Sequence, residues 1–310
     1  MPKLTLVGGP TALIEHAGLR WLTDPALSAP GEHAGGLVKV TGPAITPDGL
    51  EPVDVVLLSH DHHSDNLDPA GREFLPRAGR VLTTTDGAER LGGNATGLDP
   101  WSSVDVERPD GTPVTGTAVP AQHGPDGTDH LTGPVIGFVL QAPGEDTLYV
   151  SGDNASVDVV RQIADRVGAI DVAVLFAGAV QIADEFDGAY WTLSSDRAAE
   201  ATKVLGVRAT IPVHFEGWTH FTQGADLLRA AFAATASPTG SYSPNPARRS
   251  KPNPRGRASR LLRSRGLANA STTRPRPGRG GAGRSSLVVV VAERIYMSIP
   301  PFTPHTWPVM

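Results

Sequence analysis

Residues 53 to 68 read VDVVLLSHDHHSDNLD. The first six are apolar enough for a buried strand, and they run directly into His60, Asp61, His62, His63 and Asp65. Three imidazoles and two carboxylates within six positions, at the exit of such a strand, crowd together comfortably when a cation collects them. Strand exits are also where sites are built in sheet proteins. The bland alternative is a polar surface loop that happens to be rich in histidine.

Working outward, three more strand ends carry the same residue types. Val119-Pro120-Ala121-Gln122-His123-Gly124 places His123 in a Gly/Pro loop after a strand. Tyr149-Val150-Ser151-Gly152-Asp153-Asn154 ends a strand in a glycine turn with Asp153, and Pro212-Val213-His214-Phe215 ends another with His214. Taken singly, each has an ordinary reading as a hydrogen-bonded loop histidine or a capping aspartate. Their recurrence in this order is more specific.

Alternating and apolar runs predict strands at 3–7, 11–16, 19–23, 53–58, 80–84, 114–119, 135–141, 147–151, 172–176 and 209–213. Helical stripes with caps and terminal glycines predict helices at 156–167, 194–205 and 224–236. Strand blocks followed by interspersed helices suggest an α/β (α+β) arrangement of two sheets flanked by helices. The chain contains no cysteine. That excludes disulfides, thiolate metal sites and a cysteine nucleophile, and leaves Zn²⁺, Mn²⁺ or Fe²⁺ bound through nitrogen and oxygen.

The net charge of −5 conceals a split. Residues 237 to 310 hold 12 Arg and Lys251 against one acid, Glu293, so they carry +12 and residues 1 to 236 carry −17. The first 236 residues are the expected folded domain. The remainder is rich in Arg, Pro, Gly and Ser without periodicity, which predicts a disordered tail. Such a tail is a basic arm for nucleic acid or another polyanion, an appendage without a role, or a frame-shifted C-terminus; its arginines have no aromatic interleaving, which favours the last two. No apolar run reaches the length of a signal peptide or a membrane span, and a cytoplasmic protein is the expectation. Homo-oligomerisation is left open by the sequence.

The order of His/Asp cluster, His, Asp and His after successive strands resembles the metallo-β-lactamase superfamily. Within it, the chain is similar to the branch containing ascorbate-6-phosphate lactonase and phospholipase D-type enzymes acting on N-acyl-phosphatidylethanolamine. The stretches LTLVGGPTALIE (4–15), GLRWLTDP (18–25) and PVHFEGWTHF (212–221) carry that similarity. The resemblance implies an αββα sandwich holding two divalent ions, zinc first among them, at one edge of the sheets. One ion would take two ligands of the cluster plus His123; the other would take Asp65 and His214, with Asp153 bridging. Asp24 would orient ligands, and Trp218, His220 and the 184–191 loop could line the substrate mouth, core packing being the favoured reading for the aromatics.

The cluster departs from the family's His-x-His-x-Asp-His spacing. Counting from His60 gives His60 and His62, with Asp65 one place late. Counting from Asp61 brings His63 and Asp65 into register but puts Asp61 where a histidine belongs. Similar sequences in the branch favour Asp61 and His63, with His60 a ligand or its close neighbour. In both registers Asn66 occupies the position of a second-site histidine, where its amide oxygen would be a weaker ligand. The implied activity is hydrolysis of a small-molecule lactone, ester, amide or phosphodiester by a metal-activated water that Asp65 holds or deprotonates. A metal-binding protein without efficient turnover, and polyanion binding by the tail, are the competing readings.

Overall fold

The computed structural model describes residues 1–181 and 186–236, together with Val288 and Val289. Apart from those two residues, the segment 237–310 lies outside the described residues, and so does the expectation that it lacks structure.

Two sheets form the frame. The first has the order β1 (Lys3–Gly8), β2 (Thr11–His16), β3 (Leu19–Thr23), β4 (Val55–Leu57), β5 (Arg80–Thr84) and β6 (Ala95–Leu98). Its β1–β2–β3 meander is antiparallel, and β3 through β6 run parallel. The second contains β7 (Ser103–Glu107), β8 (Pro113–Pro120), β9 (Ile136–Gln141), β10 (Leu148–Val150), β11 (Val172–Phe176) and β12 (Ala209–Val213), neighbours in chain order. Pairing is antiparallel from β7 to β10 and parallel from β10 to β12. A short strand β13 (Val288–Val289) pairs in parallel with β12.

The period-2 alternation of strands explains the layering. Val55 and Leu57 face a core that also contains Phe138, Val172, Val174 and Phe176, so this core lies between the sheets. Their neighbours Val56 and Leu58 face the opposite side, against Phe74 of helix α1 (Pro69–Phe74). On the second sheet, Ala173 and Leu175 turn outward against Ile163, Ala198 and Phe232, which belong to α3 (Val157–Val167), α4 (Ser195–Leu205) and α5 (Ala225–Ala236). Helix α2 (Thr85–Leu91) joins β5 to β6. Both sheets are thus buried on two faces, which is why β4, β11 and β12 read as continuous apolar runs. The result is the expected αββα sandwich.

The helices begin and end where the sequence predicts. Ser156 and Ser194 accept from Val159 N and Arg197 N as N-caps, and Gly168 and Gly206 close α3 and α4. Other elements escaped prediction: strand β6 has only 4 residues, strand β7 alternates partly buried and exposed residues with little apolar content, and α1 and α2 are only 6 and 7 residues long. A two-stranded ribbon, Gly31–Glu32 with Val38–Lys39, is bonded to the segment after β12, Val40 N–H donating to Gly217 O and Thr219 N–H to Val38 O. Among the described residues no helix is long and apolar enough to cross a membrane.

Candidate metal centre

The β3, β4, β10 and β12 strands deliver Asp24, the His60–Asp65 loop, Asp153 and His214 to one end of the sandwich. His214 and Asp24 leave their strands with φ of 58° and 25°, in the left-handed region that non-glycine residues seldom adopt. Each is held there by a backbone bond, His214 N–H donating to Gly9 O at 2.8 Å and Asp24 N–H to Leu57 O at 3.0 Å. Gly152, at φ +57°, is required before Asp153, since a Cβ there would lie 2.6 Å from Ile136 O.

Two groups of side chains converge. His60, His63, His123 and Asp153 present one donor atom each within 4.8 Å of one another; Asp65, Asp153 and His214 do the same. Asp153 belongs to both. In the first group, His60 Nε2 lies 3.0 Å from His63 Nδ1, and His123 Nε2 lies 3.2 Å from the same atom. The tautomers follow from the outer partners. His123 Nδ1–H donates to Trp191 O at 2.7 Å. His60 Nδ1–H donates to Ser59 Oγ at 2.9 Å, and that hydroxyl donates to Asp24 Oδ2 at 2.8 Å. Both histidines therefore aim the Nε2 lone pair inward.

His63 Nδ1 can satisfy at most one of its two neighbours, so lone pairs face each other in a buried space. That is the donor set a divalent cation relieves. Burial, with His63 and His123 adding to it, holds His60 well below the ordinary imidazole range; burial and His123 lower His63 as well. The nitrogens are thus kept neutral and able to ligate.

In the second group His214 Nε2 is 3.2 Å from Asp65 Oδ2, and His220 Nε2–H donates to the same oxygen at 2.9 Å. Burial acts upward on Asp65, but the His214 and His220 bonds outweigh it and hold the carboxyl far below its usual range. Burial acts downward on His214, yet Asp153 and Asp65 leave it above its ordinary value. Asp153 Oδ1 and His214 Nδ1 are buried without a hydrogen-bond partner, 3.5 Å apart. Orphaned buried donors and acceptors of this kind are costly unless something coordinates them.

The fold does not bring all of the predicted site residues together. Asp61 does not join either group: Arg90 clamps it, Nε donating to Oδ2 at 3.0 Å and Nη2 to Oδ1 at 2.6 Å. Burial acts upward on Asp61, but the Arg90 bonds lower its pKa overall. His62 is exposed and its ring lies against Gly133. Asn66 donates its amide Nδ2 to Asp24 Oδ2 at 3.2 Å, which leaves Asn66 Oδ1 buried without a hydrogen-bond partner. The cluster pair brought to the centre is therefore His60 with His63, three apart, because Asn66 and Leu67 N–H donate back to His63 O and wind the loop into a turn. Neither sequence register contains that pair as its first two ligands.

Asp24 lies behind the cluster, buried at the end of β3. It accepts from Ser59 N, Ser59 Oγ and Asn66 Nδ2. Burial and the charge of Asp153 push its pKa up to about 7 against those bonds. His220 stands closer than expected, in contact with Asp65. Trp218 does not reach the mouth; it is buried beside Gly9, 5.1 Å from the His33 ring and beneath Lys39 Nζ. Of the 184–191 loop, residues 184 and 185 lie outside the described residues, while Trp191 does line the cavity.

Sequence reasoning missed a brace beside the centre. Lys39 Nζ donates to Asp68 Oδ2 at 2.9 Å and to Ala26 O at 2.7 Å. Asp68 also accepts from Leu27 N, Ser28 N and Gly71 N, the last as the N-cap of α1. The Asp68-Pro69 pair was a readable helix-start signal; Lys39 gave none.

Residues 20–215 match the family model described as the beta-lactamase superfamily domain. The chain belongs to this family. Within the metallo-β-lactamase superfamily, a UPF0173 metal-dependent hydrolase of Opitutus terrae is 31% identical over 229 residues, spanning 69% of this chain and 84% of that protein. One from Pyrococcus furiosus is 26% identical over 222 residues, spanning 70% and 86%. Among solved structures, an isothiocyanate hydrolase from Delia radicum gut bacteria superposes with a TM-score of 0.64 at 22% identity, over 76% of this chain and 92% of that one. A metallo hydrolase of Ignicoccus hospitalis gives 0.56 at 20%, over 75% and 91%. The chain is a metal-dependent hydrolase of this superfamily.

Proposed function

We propose that the centre holds two divalent ions, zinc in the first instance, and that the enzyme hydrolyses a small-molecule ester, lactone, amide or phosphodiester. His60, His63, His123 and Asp153 would hold one ion; Asp65, Asp153 and His214 would hold the other. The observation that carries this reading is the meeting of three inward-facing imidazole nitrogens with a carboxylate common to both groups. Nitrogen and oxygen donors without sulfur suit Zn²⁺, Mn²⁺ or Fe²⁺. Bound there, the ions supply Lewis acidity, making a water acidic near neutral pH and polarising the scissile group.

The chain's own residues supply position and proton control. Asp65 is kept ionised by His214 and His220, so it is able to hold the attacking water by hydrogen bond and accept its proton. His220, on the cavity side of Asp65, keeps that carboxylate oriented. The Asp24–Ser59–His60 relay and the Trp191 carbonyl fix the two Nε2 donors before any ligand arrives, so little reorganisation is left for the reaction.

Elemental analysis of the purified full chain tests this, beside His123→Ala and His214→Ala. About two metals per chain, lowered in both variants, is the expected result. One metal lost only with His123→Ala would replace the dinuclear reading by a mononuclear one. A folded, metal-free protein that takes up no zinc would overturn the proposal.

A further inference from the structure

His60 and His63 both turn a ring nitrogen to the centre, and between them lie two residues that join neither donor group. Each of these is pinned outside the centre. Asp61 turns toward α2, where its carboxylate is 3% exposed and paired with Arg90. His62 turns toward the 124–133 loop, whose Leu131 and Thr132 wall the cavity over the centre. A Cβ on Gly133 would stand 2.8 Å from the His62 ring, so the imidazole sits directly on that backbone. The four side chains thus run inward, outward, outward, inward. A step of three positions between the two ligands holds only while the middle pair stays out.

The local structure around Arg90 is shaped for this grip. Helix α2 follows β5, the parallel neighbour of β4, and so lies beside the loop that β4 feeds. Leu58 N–H donates to Leu82 O at 2.9 Å and ties the two strands at that end. Thr84 caps α2 by accepting from Gly87 N at 3.1 Å. A Cβ at position 87 would stand 2.8 Å from Thr84 Oγ1 and 3.3 Å from Asp61 Oδ1; glycine lets the helix come up to the carboxylate. Arg90, one turn on and on the same face, donates Nε to Oδ2 at 3.0 Å and Nη2 to Oδ1 at 2.6 Å. Such a two-pronged bond fixes a carboxylate in direction as well as distance, and lysine has no equivalent of it. Arg72 of α1 contributes less, Nη2 donating to Asp61 O at 3.3 Å and standing 4.0 Å from Oδ2. His60 is therefore held from two sides, by Ser59 at its own Nδ1 and by Arg90 through the next residue.

We propose that Arg90 is a positioning residue of the metal centre. By clamping Asp61 it keeps His60 and His63 in step, and so sets how tightly an ion is held by His60, His63, His123 and Asp153. This rests on the metal-centre reading above and extends it to a residue that belongs neither to the donor groups nor to the cavity wall. The clamp also excludes a competitor. A free carboxylate one position from His60 is itself a metal ligand, and the guanidinium keeps both of its oxygens occupied.

The test compares the full chain with Arg90→Met, Arg90→Lys and Asp61→Asn, each stripped of metal by a chelator. Zinc affinity is read by competition with a chelating dye, and the ligand arrangement by the visible bands of bound cobalt. Arg90→Met is expected to weaken the tighter zinc about 10- to 100-fold and to shift the cobalt bands as the freed carboxylate disturbs the donor set. Arg90→Lys keeps the charge without the fork and should restore part of the affinity. Asp61→Asn breaks the clamp while leaving no charge buried; it should weaken zinc by the same order, and it answers the question where Arg90→Met does not fold. Unfolding midpoints of the metal-free variants report the pair's share in stability separately. Unchanged zinc affinity and unchanged cobalt bands in the folded variants, whatever their midpoints, overturn the assignment and leave the metal centre standing. A wild-type chain that binds no zinc overturns both.

Discussion

Replacing Lys39 by Met would remove the cation that pairs with Asp68 while keeping most of the stem's volume. The two side chains are 4% and 0% exposed, so water cannot substitute for the lost ammonium. Burial acts to lower the Lys39 pKa and Asp68 acts to raise it, burial being the larger; the pair is held by geometry against a desolvation cost. Breaking such a pair by deleting one partner costs roughly 3–5 kcal/mol, because a buried charge is left behind. Three backbone N–H groups still reach Asp68, which places the expected loss near the lower end, about 3 kcal/mol. For a folded body of this size each kcal/mol moves Tm by about 2–4 °C, so a drop of roughly 6–12 °C is expected. Calorimetry and urea unfolding of wild type, Lys39→Met, Asp68→Asn and the double variant measure it as a cycle. The double variant should lose less than the sum of the singles by at least about 1 kcal/mol. A Lys39→Met loss below about 1 kcal/mol, or additivity within about 0.5 kcal/mol, would refute the idea that this ion pair braces the ribbon against the site.

Two further outcomes follow from the supporting groups. Ser59→Ala cuts the relay between Asp24 and His60 Nδ1, and metal affinity, read by competition with a chelating dye, should fall about 10- to 100-fold with the fold retained; unchanged affinity would remove the relay from the design. Burial depresses the pKa of His16, whose Nε2 has no partner, so the unfolded chain takes up a proton before the folded one does. Stability is then fully present above the ordinary value of 6.5 and declines as pH falls from there toward the depressed folded value. The decline is at most about 1.4 kcal/mol per pH unit from this group, and His16→Gln should flatten that limb of the urea-midpoint profile; an identical limb would assign the acid sensitivity to other groups.

The strands and long helices were legible because each carries its own period and punctuation. Alternation placed Val55 and Leu57 on one face and Val56 and Leu58 on the other, and serine caps with terminal glycines bounded α3 and α4. The set of strand ends bearing His60–Asp65, His123, Asp153 and His214 was legible for the same reason. The register inside the cluster was not. It depends on Arg90, 29 positions beyond Asp61, which withdraws the carboxylate, and on the turn through His63 that rotates His62 outward. The clamp is not encoded locally, and the turn is made by backbone bonds from Asn66 and Leu67 to His63 that no side-chain pattern announces. Lys39 and Leu131 were invisible for a related reason. One is a lone cation in a glycine-rich loop and the other a lone leucine, and only the folded topology turns the first inward and leaves the second at the mouth.

Asp65 meets His214 and His220 across separations of 149 and 155 residues, and His63 meets His123 across 60. Closing loops of that span is entropically slow, and neither sheet alone possesses a full donor set. A nascent or truncated chain lacking β12 has no means of presenting the second donor group. Uptake of a coloured ion such as cobalt during refolding would therefore clock the docking of one sheet on the other.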